Sequence, residues 1–232
     1  MAERPLFAPA PEAPGFVQEI DLSITWHGGF AASQKQKNVA AMHEAAAAKG
    51  YAPVLEVSTK STETLGQRLS AFNLKVEASG VAPMPLECAF QGAKVFERGG
   101  PFRDLYVVAP WEAKRDVRLK QSGALTAFEF DGLRFPLEPT TAFYDWLYLS
   151  ALYPHREWLK RLSAYAGFTD IEFNPAKSIN CQARSCALFV ALMQNGLLDQ
   201  AMVSPAAFIE LMSSRRPPRR EVAASKTLEL NF

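Results

Sequence analysis

The sequence predicts an α+β fold, a single and mainly helical domain with a small sheet. Segments with helical spacing outweigh those that alternate like strands. Their order is irregular rather than a repeating strand–helix–strand, and no repeat or long linker divides the 232 residues. Apolar residues make up 48% of the chain and include 16 Phe, enough to fill one core.

The elements follow in chain order. Residues 1–15 carry Pro5, Pro9, Pro11 and Pro14 among small residues, which predicts a flexible N-terminal arm. The folded domain is expected over residues 16–212. "FVQEIDLSITW" (Phe16–Trp26) alternates like a strand. Lys37–Lys49 is Ala-rich and helical, with Gly50 where a left-handed cap belongs. "PVLEVST" reads as a short strand. Pro85 opens a helix, "LECAFQGAKVF", that is expected to run to Gly99-Gly100. Pro110 opens another, "PWEAKRDVRLKQ". "FEFDGLRF" predicts a hairpin turning at Asp131-Gly132. "TTAFYDWLYLSAL" and "REWLKRLSAYAG" predict helices that meet near Pro154, and "FTDIEF" predicts a strand. Asn180 is the expected cap of a helix ending at Asn195, with Gly196 beyond it. Ser204-Pro205 opens a last short helix. Residues 213–232, including "RRPPRR", predict a basic, flexible tail.

A net charge of +1 excludes a generic polycationic nucleic-acid binder but leaves room for a local basic patch. The three cysteines, Cys88, Cys181 and Cys186, lack metal-site spacing and read as reduced thiols of a cytoplasmic protein. No segment is long and apolar enough for a membrane span. No Gly-rich phosphate loop, zinc ligand set or nucleophile elbow is present, so no cofactor or metal is expected.

The candidate site residues are polar groups inside segments that ought to be structured. Glu87, Gln91 and Lys94 share a row at i, i+4, i+7 beside the apolar face of their helix. Glu87 is either a helix-start carboxylate favoured by the macrodipole or a half-buried general acid/base. Lys60 follows a strand, and Phe72 and Asn73 follow the turn at Gly66. They form either a solvated connection or a pocket wall, with Asn73 orienting a partner. A helix capped at Asn180 would aim the amides of residues 181–183 outward, with Lys177 and Arg184 close by. That is an anion site or simply a solvated helix start. Asp170 sits in the alternation where Phe168, Ile171 and Phe173 compete for the interior.

"TKSTETLGQRLSAFN" followed by "LECAFQGAKVF" resembles the signature of the NADAR (YbiA-like) family, with Ala71 in place of an Asn and Cys88 in place of a His. "QKQKN", "SAFNL", "GGPFRDL", "TAFYDWLY" and "FTDIEFNPAKSINCQARS" are similar to one branch, the NADAR proteins associated with DarT-type toxins that ADP-ribosylate guanine in DNA. The resemblance implies an N-glycosidase that removes ADP-ribose from guanine, with ADP-ribosylated DNA as substrate and a DarT-type toxin as partner. It matches Glu87, Lys60 and Asp170 to catalytic positions and Trp146 to a base-stacking one. Glu87 is expected as general acid/base, Asp170 as stabiliser of the sugar cation or water orienter, and Lys60 as a Schiff-base former. Phe72, Asn73, Lys94, Lys177, Asn180 and Arg184 are expected to bind substrate. The alternatives are a non-catalytic nucleotide reader, an antitoxin that grips its toxin through residues 215–220, and a riboflavin-pathway N-glycosidase.

Overall fold

The computed structural model describes residues 1–29 and 31–215. In chain order the elements are β1 (Ala2–Pro9), β2 (Val17–Ile24), α1 (Ala32–Ala48), β3 (Val54–Glu56), α2 (Thr64–Arg68), β4 (Lys75–Ala78) and β5 (Val81–Pro85). Next come α3 (Leu86–Gly92), β6 (Lys94–Phe96), α4 (Pro110–Arg115), α5 (Arg118–Gln121), β7 (Leu125–Phe130) and β8 (Leu133–Phe135). The rest are α6 (Ala142–Leu152), α7 (Arg156–Leu159), β9 (Gly167–Thr169), α8 (Gln182–Gln194), α9 (Leu198–Ala201) and α10 (Pro205–Ser214). The fold is α+β, with three small sheets instead of one: β2-β1-β9-β3, β4-β5 and β6-β7-β8.

The first sheet corrects the expectation of a flexible N-terminal arm. β1 lies in its interior, paired with β2 from Ala2↔Ile24 to Pro9↔Val17 and with β9 at Phe7↔Phe168. Leu6 and Phe7 are buried. Proline content misled the reading, because alternation puts the missing N–H groups of Pro5 and Pro9 on one edge of the strand. β9 meets that strand at Phe7 alone, so two missing donors break no ladder. At the other end, α10 carries helix through Ser214, past the expected tail start, and residues 216–232 lie outside the described residues.

Several elements form as their residues dictate. Gly50 takes φ +86°, and Tyr51 N–H donates to the Ala46 carbonyl while Gly50 N–H donates to Ala47, closing α1 as a Schellman cap. Asp131 and Gly132 both take positive φ, the geometry a two-residue hairpin turn between β7 and β8 requires.

Several boundaries differ from expectation: α1 starts at Ala32 rather than Lys37, the helix expected over "REWLKRLSAYAG" ends at Leu159, and three others differ for a local reason. α3 ends at Gly92, where a Cβ would collide with the Tyr106 ring, and "KVF" then pairs with β7 as a strand. The Pro110 helix breaks after Arg115 because the Asp116 carboxylate accepts from Arg118 N–H and restarts the chain as α5. β9 stops at Thr169, because Ile171 N–H donates to the Glu56 side chain and Glu172 N–H to Asp170, which curls the chain out of the ladder.

α8 is the central helix. Leu188, Phe189, Val190, Ala191 and Leu192 are fully buried in the largest apolar cluster. Its N-cap is Cys181, not Asn180, and no side chain caps it. α8 is tied to α6 through Asp145, which is buried and accepts from Ser185 Oγ (2.6 Å), Thr141 Oγ1 (2.7 Å) and Arg184 Nη1 (2.6 Å). Arg184 is thereby committed to the fold. Arg184→Met leaves a buried carboxylate short of its counter-charge, so urea denaturation is expected to show a loss on the order of 3 kcal/mol. An unchanged midpoint contradicts this account of the tie.

Candidate functional site

β3 and β9 run parallel, so both chains leave the sheet at the same edge. The buried Glu56 carboxylate joins those two ends. It accepts from Ser58 Oγ (2.5 Å), Thr169 Oγ1 (2.7 Å) and Ile171 N–H (2.9 Å). The Ser58–Lys60 loop and Asp170 are thereby fixed side by side above the sheet. Thr169 Oγ1 also lies 3.4 Å from His43 Nε2 on α1.

A second segment, residues 69–74, is held from three sides. Tyr148 on α6 donates its hydroxyl to the Leu69 carbonyl, and Gln182 on α8 accepts from Ala71 N–H. The first amides of α3 donate into the same turn, Leu86 to Leu74 and Glu87 to Ala71. Such amides have no partner within their own helix, so the turn takes the place of a cap. α2 presses against β3 at Gly66, where any Cβ would strike the Glu56 carbonyl.

These pieces enclose a cavity of about 590 Å³, within the usual range for a small-molecule site. Lys60, Phe72, Glu87, Asp170, Lys177 and Asn180 all line it. Four expected site residues do not. Asn73 Nδ2 donates to the Gln67 carbonyl and braces the turn. Trp146 packs on Phe135, ring centroids 4.9 Å apart, with its indole nitrogen buried. Arg184 holds Asp145. Lys94 is fully buried behind the wall. The expected open helix terminus is also absent, since Cys181, Gln182 and Ala183 are buried and Cys181 Sγ faces Asp170 Oδ2 at 4.0 Å.

Sequence reasoning missed other lining residues. Gln91 was visible in the polar row at i+4 from Glu87. Phe90, Tyr144 and Phe173 form the apolar surface, with Phe90 and Tyr144 edge to face at 5.1 Å. Lys114 on α4 reaches the cavity because α4 packs on α3. No local pattern marks it.

The electrostatics are set by burial. Glu87 Oε1 accepts from Gln91 Nε2 at 2.9 Å and lies 3.8 Å from Lys114 Nζ. Gln91 in turn accepts from Lys94 Nζ at 2.6 Å, and that ammonium sits 4.8 Å over the Phe90 ring. Burial brings Lys94 down to about 7, with Glu87 opposing and Lys114 reinforcing the drop. Burial, reinforced by the nearby Glu56 carboxylate, pushes Asp170 well above the usual carboxylate range. Among the described residues no cluster of His, Cys, Asp and Glu is arranged to hold a metal ion, and no helix is long and apolar enough to cross a membrane.

The model of the DarT1-associated NADAR antitoxin family matches residues 2–221. The chain belongs to this family. The match begins inside β1, so the family pattern includes the strand that sequence reading took for an arm. No curated protein matches the chain. Membership associates this NADAR antitoxin with a DarT1 toxin.

Lys94 gives the antitoxin a pH signature. Its folded value, about 7, lies below its unfolded one. Between the two, the unfolded chain binds the extra proton, so Lys94 makes stability rise with pH from about 7 towards about 10. Urea midpoints at pH 7 and pH 9.5 are expected to rise more in wild type than in Lys94→Met. Equal rises contradict the assignment.

Proposed function

We propose that the cavity hydrolyses the N-glycosidic bond between guanine and ADP-ribose in DNA, and that this activity is how the antitoxin counters a DarT1 toxin. The observation that carries the reading is that Glu87, Asp170 and Lys60, drawn from three separate segments of the chain, line one cavity of about 590 Å³. Family membership supplies the context.

Breaking this bond requires a proton for the leaving guanine nitrogen and a negative group near the cationic sugar. Two carboxyl groups in different environments divide those tasks, as in glycosidases. Asp170, pushed up by burial and Glu56, holds the proton and is suited to deliver it. Glu87, ion-paired with Lys114, is suited to face the sugar cation and then to take a proton from the attacking water. These roles exchange those expected from sequence, because Glu87 lies beside the Lys114 ammonium whereas Asp170 lies near the Glu56 carboxylate. Phe90, Tyr144 and Phe72 offer surfaces for rings, and Lys177 and Lys114 offer charge for phosphates.

Incubation with guanine-ADP-ribosylated single-stranded DNA is expected to release free ADP-ribose. Glu87→Gln and Asp170→Asn are each expected to lower kcat by about 10²-fold or more. Activity is expected to fall as pH rises through the Asp170 value, and Asp170→Asn removes that limb. Full activity in either variant excludes the mechanism. Toxin neutralisation that survives Glu87→Ala favours an antitoxin acting by grip alone.

Lys60 supports an added covalent route. It is half-buried, lines the cavity and forms no ion pair among the described residues. A ring-opened ribose presents an aldehyde, and a neutral lysine amine condenses with it to an imine with loss of water. Borohydride would reduce that imine to a stable adduct, expected in wild type and lost in Lys60→Ala. No adduct in wild type rules the route out.

A further inference from the structure

α4 is built against the ordinary logic of an amphipathic helix. It buries a small residue, Ala113, and turns Trp111 to solvent at 56% exposure. Val107 and Val117, on either side of the helix, are exposed as well, at 81% and 63%. Scattered exposed apolar residues are ordinary, but three within one short run are not.

The same run is left positive on its outer face. Its acids are already engaged: Glu112 accepts from Ala109 N–H at the helix start, and Asp104 and Asp116 are held by Arg118 at 2.6 and 2.8 Å. Arg115 is exposed and forms no ion pair or hydrogen bond among the described residues. Trp111, Lys114 and Arg115 stand at i, i+3 and i+4, so they share one face. Lys114 lies about 4.5 Å further along the axis than Trp111. It lines the cavity and sits 5.9 Å over the Phe72 ring at its rim. The aromatic face and the free guanidinium therefore share a helix face with a lysine that lines the cavity.

We propose that α4 is a landing platform for single-stranded nucleic acid, on which Trp111 stacks the base next to the modified guanine and Arg115 meets the adjoining phosphate. This rests on the glycosidase reading for the location of the modified base. A base has an aromatic face whatever its identity, so the platform gives affinity without sequence choice. A bare indole beside an unpaired cation fits a polyanion with flat bases better than an acidic protein surface, which would not use the ring.

The test uses the full chain, a fluorescent unmodified single-stranded 12-mer, and two substrates, the guanine-ADP-ribosylated 12-mer and ADP-ribosylated deoxyguanosine. Trp111→Ala is expected to weaken 12-mer binding by about 5- to 100-fold in anisotropy, while Trp111→Phe keeps most of it. kcat/KM on the modified 12-mer is expected to fall by a similar factor relative to the nucleoside. Arg115→Gln is expected to reduce the salt dependence of 12-mer binding. If wild type cleaves neither substrate, the glycosidase reading fails, and anisotropy still decides the platform. Equal 12-mer affinity in wild type and Trp111→Ala overturns it, as does no binding by wild type. Unchanged 12-mer affinity with lost capture of a DarT1 toxin assigns the face to a protein contact and also overturns it.

Discussion

The Glu56 carboxylate is the joint on which the site hangs. It sits, fully buried, where two parallel strands end together, and it accepts from a hydroxyl on each side and from the Ile171 amide. Bonds to a buried carboxylate in a dry setting are strong and directional, and losing one leaves a polar group with no substitute partner. The same carboxylate fixes the loop that carries Lys60 and ends β9 so that Asp170 points into the cavity. It also helps raise Asp170. Position and proton affinity of one candidate catalytic group thus trace to one buried neighbour.

The opposite wall follows a different rule. The turn at residues 69–74 buries Leu69 and Ala71 in the main apolar cluster and is held by two hydrogen bonds from α3 and one each from α6 and α8. The bonds to Tyr148 and Gln182 are buried where water cannot replace them, so α6 and α8 hold one position relative to the turn. Behind α3, Lys94 and Gln91 extend the network to Glu87. A lysine expected to touch substrate is instead a buried prop, and its weakened charge follows from that burial.

How much was legible follows from the range of the interactions. The Asp131-Gly132 hairpin, the Gly50 cap and the polar row on α3 are set by residues within four positions of one another, and local pattern captured them. The gathering of Glu87, Asp170 and Lys60 depends on contacts across the chain and came from resemblance, not periodicity. Lys114 depends on one helix packing on another, which no window of sequence records. Trp146 and Arg184 misled for one reason: a large ring or a guanidinium serves a core as readily as a ligand, and the neighbours that decide, Phe135 and Asp145, are distant in sequence or in role. The N-terminal strand was hidden by its prolines.

That strand sets the timing of assembly. β1 stands at Ala2–Pro9, yet one of its partners, β9, lies at Gly167–Thr169. The central helix that covers both follows later still, at Gln182–Gln194. Long-range pairings of this kind are entropically costly to form and close late. The sheet edge that carries Asp170 is therefore expected to close late in folding. Chains cut short before β9 and α8 lack Asp170 and Gln182, and with them one wall of the cavity.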